Sequence, residues 1–461
     1  MARDKPPISD FYFACRNGDV EFVKQMLEEA ECDLNCLESN ESKESRSLLN
    51  SHSCYYGHEE IVQLLIAHNC GRSQINSHGL TAYEEAANDE IRQLFKRPGR
   101  EGSQRFQDES VDNSFDFVHH PNEEDMTTTA ATPATATPAA TSASDSVSTV
   151  RKPPVQGYKT KEEKKLEIGY ATTSITMCQS KLARFVVDRF QHDAPMSVKS
   201  IGLKLQEIID KEIIAKEDPQ SQKATDLLNK FLNEKDNDHR IEYLIHLYTL
   251  ETRFYGALKA NSIPLALPLY MKLQRLKERY FQGESYRGAK MTNDDISAYE
   301  WAVDNRGSLL QTSNFSSTSV HRSIAEEFAD KPSKPNDTRN RVLFIFDFPR
   351  KCDQAINLNR ISDKSPCLSE YEDEGEILIL PWTLFEVKSV NKEANNGRLS
   401  YTIHLVNVIL PRKSLLSTFK WTLKNTKVWT YSVCAGKKRR LFNRFEAHFM
   451  PQRAERVPSY I

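Results

Sequence analysis

The stretch Tyr371–Pro381 reads YEDEGEILILP, an acidic run that passes straight into four apolar residues and a proline. Glu374 and Glu376 bracket Gly375. If a strand begins there, alternate side chains share a face and the two carboxylates point the same way, with Gly375 keeping the opposite face open. Ile377–Leu380 reads as a buried central strand. Two carboxylates entering a core together need a cation or hydrogen-bond donors to meet them, because desolvation opposes their ionised forms. Two further stretches carry chemistry. In SYRGAK, Arg287 precedes Gly288 on an expected strand, and a guanidinium beside an open backbone suits a phosphate or carboxylate fork. In SNFSSTS, Ser317 and Ser319 share a strand face while Thr318 points the other way, so the hydroxyls can orient a neighbouring side chain. Each stretch taken alone also has an ordinary reading: an exposed salt-bridge arginine, a polar strand end, and a solvated acidic loop that includes Glu372 and Asp373.

These residues sit in a region that reads as globular from about 161 to 420. Up to 281 the pattern is helical. Leu244, Tyr248, Glu251, Tyr255 and Leu258 keep a spacing of three to four, as do Leu269, Leu273, Leu276 and Tyr280, with Pro264 and Pro268 as punctuation. From 282 to 420 short β-rich runs follow, among them RVLFIFDF, AINLNR, EILILP, TLFEVKSV and LSYTIHLVNVIL. Helices first and strands second imply an α+β layout with mostly antiparallel sheets.

Residues 1–97 are internally repetitive. ACRNGDVEFVKQML and SCYYGHEEIVQLLI align with Gly18 over Gly57, which sets Phe22, Val23, Met26 and Leu27 on Ile61, Val62, Leu65 and Ile66. A third unit follows, with Leu94 and Phe95 falling 33 residues after Ile61 and Val62. The first spacing is 39, so about six extra residues sit near LESNESKESRS. The period and the Gly-His-x-x-Ile-Val-x-Leu-Leu pattern resemble ankyrin repeats, although no Thr-Pro-Leu-His stands intact; a generic array of helical hairpins is the alternative. Either offers contact surface rather than chemistry. Residues 98–160, rich in Thr, Ala, Pro and Ser, cannot offset their ordering entropy and read as a tether. The segment 421–461 reads as a basic tail, in which Lys437–Arg440 fits a nuclear import signal or a solvated charge run.

Composition excludes several classes. A formal charge of -2 over 461 residues gives no support for a nucleic-acid or membrane binder. No apolar run approaches the roughly 20 residues of a membrane span, and the start lacks an apolar signal core. Nine scattered Cys suggest a reduced, cytoplasmic protein. Cys32, Cys36, His52 and Cys54 match no compact zinc pattern, so no metal is expected. There is no Gly-x-Gly-x-x-Gly after a strand and no Walker motif.

In their order, Arg287, Ser317-Thr318-Ser319 and Glu374-Gly375-Glu376 resemble the arginine-specific mono-ADP-ribosyltransferases. That family has an Arg on its first strand, a Ser-Thr-Ser on a later one, and a Glu-x-Glu leading into a strand that ends in proline. The flanks LIHLYTLETRFYGALKAN, STSVHRSIAEEF and LPWTLFEV agree, although Leu258-Lys259 replaces the usual Leu-Asn and Trp382 stands where a second proline is common. The resemblance covers roughly 165–415. It implies an ankyrin-like α domain joined to an α+β ADP-ribosyltransferase fold with a helical lobe and two small, mostly antiparallel sheets. It also implies an activity: NAD is split between nicotinamide and ribose, and ADP-ribose passes to arginine on an acceptor protein.

By that resemblance Glu376 stabilises the positive charge on the ribose and holds a hydroxyl, following the logic of glycoside chemistry. Ser317 holds Glu376. Thr318 and Ser319 support the strands and the nicotinamide pocket. Arg287 binds NAD phosphate and ribose, and the Gly288 backbone meets the carboxamide. Glu374 holds the acceptor guanidinium and relieves it of a proton, and Tyr371 faces the substrate. A protein partner is expected on the repeats. The alternatives are an NAD glycohydrolase with water as acceptor, and an inactive ankyrin-based binding module.

Overall fold

The computed structural model describes residues 8–29, 53–97 (without 69, 74, 75 and 77), 115–117, 161–180, 198–234 and 240–421 (without 306, 307, 331–337, 363, 396, 397 and 419). The insertion near LESNESKESRS, the residues Cys32, Cys36 and His52, most of 98–160 and the basic cluster Lys437–Arg440 lie outside them.

Three helical pairs build the N-terminal unit: Ile8–Asn17 with Val20–Glu29, Cys54–Tyr56 with Glu59–Ala67, and Ala82–Glu85 with Asp89–Leu94. The aligned Gly18 and Gly57 both take positive φ, 79° and 80°, at the turn inside a pair, a conformation that glycine adopts without a Cβ penalty. Ile61 and Val62 are adjacent on one helix but serve different cores. Ile61 packs with Val23, Met26 and Leu65 toward the first pair, and Val62 packs with Cys54, Ile91 and Phe95 toward the third. Each repeat therefore buries its neighbours' apolar faces, which none could bury alone. Thr81 starts the third pair with a capping box, accepting from the Glu84 N–H while the Glu84 carboxylate accepts from its own.

In the larger domain the helices Val198–Glu212, Ser221–Asn233, Arg240–Thr249 and Ile263–Lys272 share a core through Leu205, Leu228, Leu244, Tyr248 and Leu269. The periodic run from Leu244 to Leu258 is not one helix. It breaks between Arg240–Thr249 and Phe254–Ala260, and Glu251 lies in the break. No helix among the described residues is long and apolar enough to cross a membrane.

Among the described residues eight strands form one sheet: β1 (Phe115–Phe117), which precedes the helices, then β2 (Tyr280–Met291), β3 (Leu309–Thr312), β4 (Ser316–Ser319), β5 (Asn340–Asn357), β6 (Glu376–Ile379), β7 (Leu384–Asn395) and β8 (Arg398–Asn407). Their order is β1-β3-β7-β8-β5-β2-β4-β6, and β6 also pairs with β5. All pairings are antiparallel except β5 with β8. The two expected sheets are thus continuous. The 18-residue β5 pairs with β8 through its first part, with β2 along nearly its whole length and with β6 near its end, so β5, β2, β4 and β6 close on one another. β1 falls inside the stretch read as a tether; its Phe-Asp-Phe alternation extends the sheet edge at β3. Helices Asn293–Asp304 and Arg322–Asp330 interrupt the β half.

The apolar run after Glu376 is explained by this closure. Leu378 and Leu380 enter the core shared with the helical lobe, whereas Ile377 and Ile379 enter a second core with Phe344, Phe346 and Phe385. A strand buried on both faces has no polar alternate positions.

Candidate active site

β4 and β6 are neighbours with Ser319 opposite Glu376 and Ser317 opposite Leu378, so both serines lie on the face of Glu376. Ser317 Oγ donates to Glu376 Oε1 at 2.6 Å. The Tyr248 hydroxyl lies 3.0 Å from Ser317 Oγ and donates to it, since that serine's own proton is committed to the carboxylate. Ser369 Oγ donates to the other oxygen, Oε2, at 2.8 Å. Glu376 is 2 % exposed. Each oxygen of a buried carboxylate thus has a hydroxyl donor, which fixes its plane and satisfies it away from water.

Glu374 does not share a strand face with Glu376. It ends a 3-10 turn, Glu372–Glu374, and Gly375 follows at φ 56° before β6 begins. A left-handed residue resets the alternation, so strand geometry does not place Glu374, although both residues line the same pocket. Gly375 does not keep a face open either: a Cβ there would stand 2.7 Å from the His321 ring and 2.8 Å from Val320. Ser319 Oγ secures the turn by donating to the Glu374 carbonyl at 2.6 Å, and Thr318 Oγ1 donates to the Ile377 carbonyl at 3.0 Å.

Arg287 on β2 is 7 % exposed and donates from Nη1 to the Ser317 carbonyl at 3.0 Å. It ties β2 to the strand that carries the serines. Gly288 has a packing reason: a Cβ would stand 1.9 Å from the Ala325 carbonyl oxygen, because helix Arg322–Asp330 lies directly on the strand backbone. Arg287, Gly288, Ser317, Thr318, Ser319, Glu374 and Glu376 all line one pocket, whose remaining wall includes Ile324 and Phe328 of that helix.

On the far side of Glu374 stands a guanidinium from the N-terminal unit. Arg97 donates from Nε to Oε1 at 2.6 Å and from Nη2 to Oε2 at 2.8 Å, a side-on fork. Its Nη1 pairs with Glu251, which the helix break turns toward it. The guanidinium carbon lies 4.1 Å from the centre of the Tyr371 ring. Tyr371 is 1 % exposed, and Arg72 also lies over its ring, at 5.3 Å. Glu370 is buried between Lys223 at 2.6 Å and Arg72 at 3.3 Å. Burial would raise its pKa, but these two cations outweigh that and hold it below the usual carboxylate range. Glu372 is not in a solvated loop: it accepts from Thr81 Oγ1 at 2.8 Å, and burial raises its pKa.

Seven of the eight expected site residues therefore line one pocket, whereas Tyr371 is not part of its lining and lies buried beneath Arg97 and Arg72. Ser369, Tyr248, Glu251 and Arg97 had no signal of a site role. Ser369 sits in an ordinary loop spacing, Tyr248 and Glu251 read as helix-face residues, and Arg97 lies at the end of a repeat. Among the described residues no group of three or more His, Cys, Asp or Glu is placed to hold a metal ion.

Residues 11–99 match the family described as ankyrin repeats, in three copies. No curated protein matches the chain. Among solved structures, the ADP-ribosyltransferase HopU1 of Pseudomonas syringae pv. Tomato DC3000 is similar at 16% identity and a TM-score of 0.30, over 40% of this chain and 87% of that one. The Vis toxin, an ADP-ribosyltransferase from Vibrio splendidus, is similar at 15% identity and 0.22, over 55% and 89%. The C3larvin toxin, an ADP-ribosyltransferase from Paenibacillus larvae, is similar at 16% and 0.25, over 40% and 100%. At these scores the likeness carries no residue role to this chain.

Proposed function

We propose that this chain transfers ADP-ribose from NAD to arginine side chains of proteins, with release of nicotinamide. The observation that carries the reading is Glu376, buried at the pocket with Ser317 on one oxygen and Ser369 on the other. A carboxylate held so firmly is preorganised for a developing positive charge and does not have to reorient as the charge forms. The donor set fits NAD: a buried arginine for phosphate, hydroxyls and a carboxylate for ribose, and Ile324 with Phe328 for a planar ring. Bound NAD supplies an ADP-ribosyl group that leaves nicotinamide with positive charge building on the ribose. Glu376 faces that charge, Ser317 and Ser369 keep the carboxylate in place, and Arg287 holds β2 against β4 while offering its charge to the pocket.

Arginine as acceptor is supported by Glu374. It lines the same pocket and grips a guanidinium through two parallel hydrogen bonds, the geometry suited to a planar, permanently charged group. The same carboxylate can take the proton that an attacking guanidinium must lose. The three helical pairs add a surface for a protein partner. The test is incubation of the full chain with NAD and agmatine, following products by mass. Nicotinamide with ADP-ribosyl-agmatine is expected. Nicotinamide with free ADP-ribose alone would make water the acceptor, and no NAD consumption by folded protein would refute the transferase.

A further inference from the structure

We propose that Glu374, Glu251 and Tyr371 form the subsite for an arginine side chain, and that this chain fills it with its own Arg97, so that the ankyrin unit blocks the acceptor until a partner lifts it. The inference rests on the transferase reading for the meaning of the subsite, but not for its existence. Three nitrogens of Arg97 pair with two carboxylates, and the face of the guanidinium lies over an aromatic ring. The Arg97 side chain is 4 % exposed, with Glu374 at 13 % and Glu251 at 6 %, so solvent has little access to the clasp. Within the clasp itself both carboxylates face the same guanidinium. Emptied, it would hold two poorly solvated anions together, a site built to take a guanidinium.

The repeats place the plug from several points. Thr81 donates to Glu372 on the turn that carries Glu374. Glu84, two residues into the next helix, pairs with Arg360 at 3.1 Å. Arg72 reaches Glu370 and donates to the Phe95 carbonyl at 3.1 Å, which steadies the chain two residues before Arg97. These contacts lie on the same unit expected to bind a protein partner, so a partner that competes for the repeats would withdraw Arg97 with them. Arg97 is an occupant rather than an acceptor. Burial alone would lower its pKa, but Glu374 and Glu251 outweigh that and keep the group protonated, with all three nitrogens engaged.

The test uses the full chain with Arg97→Ala. Millimolar agmatine is expected to raise the melting temperature of Arg97→Ala and leave that of the wild type unchanged, because only the variant has an empty guanidinium site. With NAD present, the variant is expected to transfer ADP-ribose to agmatine about tenfold faster, as an internal competitor at millimolar effective concentration is removed. Total NAD cleavage should stay no lower than in the wild type. Agmatine that fails to stabilise folded Arg97→Ala would overturn the subsite. Transfer no faster than wild type would overturn the block, as would ADP-ribose found on Arg97 itself. Stabilisation by agmatine without NAD cleavage in either protein would keep the subsite and defeat the transferase reading. Should Arg97→Ala not fold, Thr81→Val with Arg360→Ala loosens the docking while keeping Arg97. That pair is expected to raise transfer about threefold, and no rise would overturn the block.

Discussion

Ser317→Ala isolates the clamp on Glu376. The variant removes a hydrogen bond of 2.6 Å to a carboxylate that is 2 % exposed, while Ser369 still holds the second oxygen. A hydrogen bond to a charged partner contributes about 1.5–3 kcal/mol. If that interaction serves to fix the carboxylate for the transition state, its loss lowers kcat by roughly 10- to 150-fold, at about 1.4 kcal/mol per decade. The NAD KM should move far less, because the serine acts through Glu376. Ser369→Ala should give a loss of the same order through Oε2, although nothing in its sequence neighbourhood marks it. Because both serines hold one carboxylate, the double variant should depart from the sum of the single effects. Nicotinamide release at saturating NAD is the assay, with melting measured alongside, since Ser317→Ala also removes an acceptor of the Tyr248 hydroxyl. A kcat within twofold of wild type in a chain that melts normally would refute the clamp and, with it, the case for Glu376 as the preorganised group.

Three other outcomes are expected. Glu374→Gln should abolish transfer to agmatine while leaving nicotinamide release measurable, because the neutral amide keeps the shape but neither balances a guanidinium nor takes its proton; normal labelling of agmatine would sink the acceptor assignment. Gly288→Ala should destabilise the larger domain by about 3 kcal/mol or more, since the added methyl meets backbone at 1.9 Å rather than a yielding side chain, and an unchanged melting temperature would contradict that packing. His246, pushed down to about 4 chiefly by burial, binds its proton less readily folded than unfolded. Its contribution is complete above the unfolded value near 6.5 and declines as pH falls toward about 4, by up to about 3 kcal/mol. His246→Leu should flatten chemical-denaturation stability over that window, and an unaltered slope would rule the residue out.

Local chemistry was legible where short-range pattern decides the structure. The alignment of Gly18 with Gly57 marked equivalent positions, which both prove to be positive-φ turns inside a helical pair, and the apolar run after Glu376 read as a buried strand, as it is. The pairing of Ser317 with Glu376 was implied by the family resemblance, although its physical basis lies in the β4–β6 register. Strand alternation failed at Glu374 because Gly375 is left-handed, and nothing nearby distinguishes a glycine that continues a strand from one that ends a turn. Periodicity likewise carried Glu251 along a helix that in fact breaks, since a spacing of three to four persists across an interruption.

The primary sequence was sufficient for most of the elements, the repeats and the types of group that converge, because helix faces, strand runs and turn residues answer to neighbours a few positions away. Only the tertiary structure decided what meets those groups. Arg97 reaches Glu374 across 277 residues and Glu251 across 154, and Thr81 reaches Glu372 across 291. No periodicity spans such separations. They are set by how the N-terminal unit docks on the larger domain, and that depends on charge and shape that no local pattern encodes.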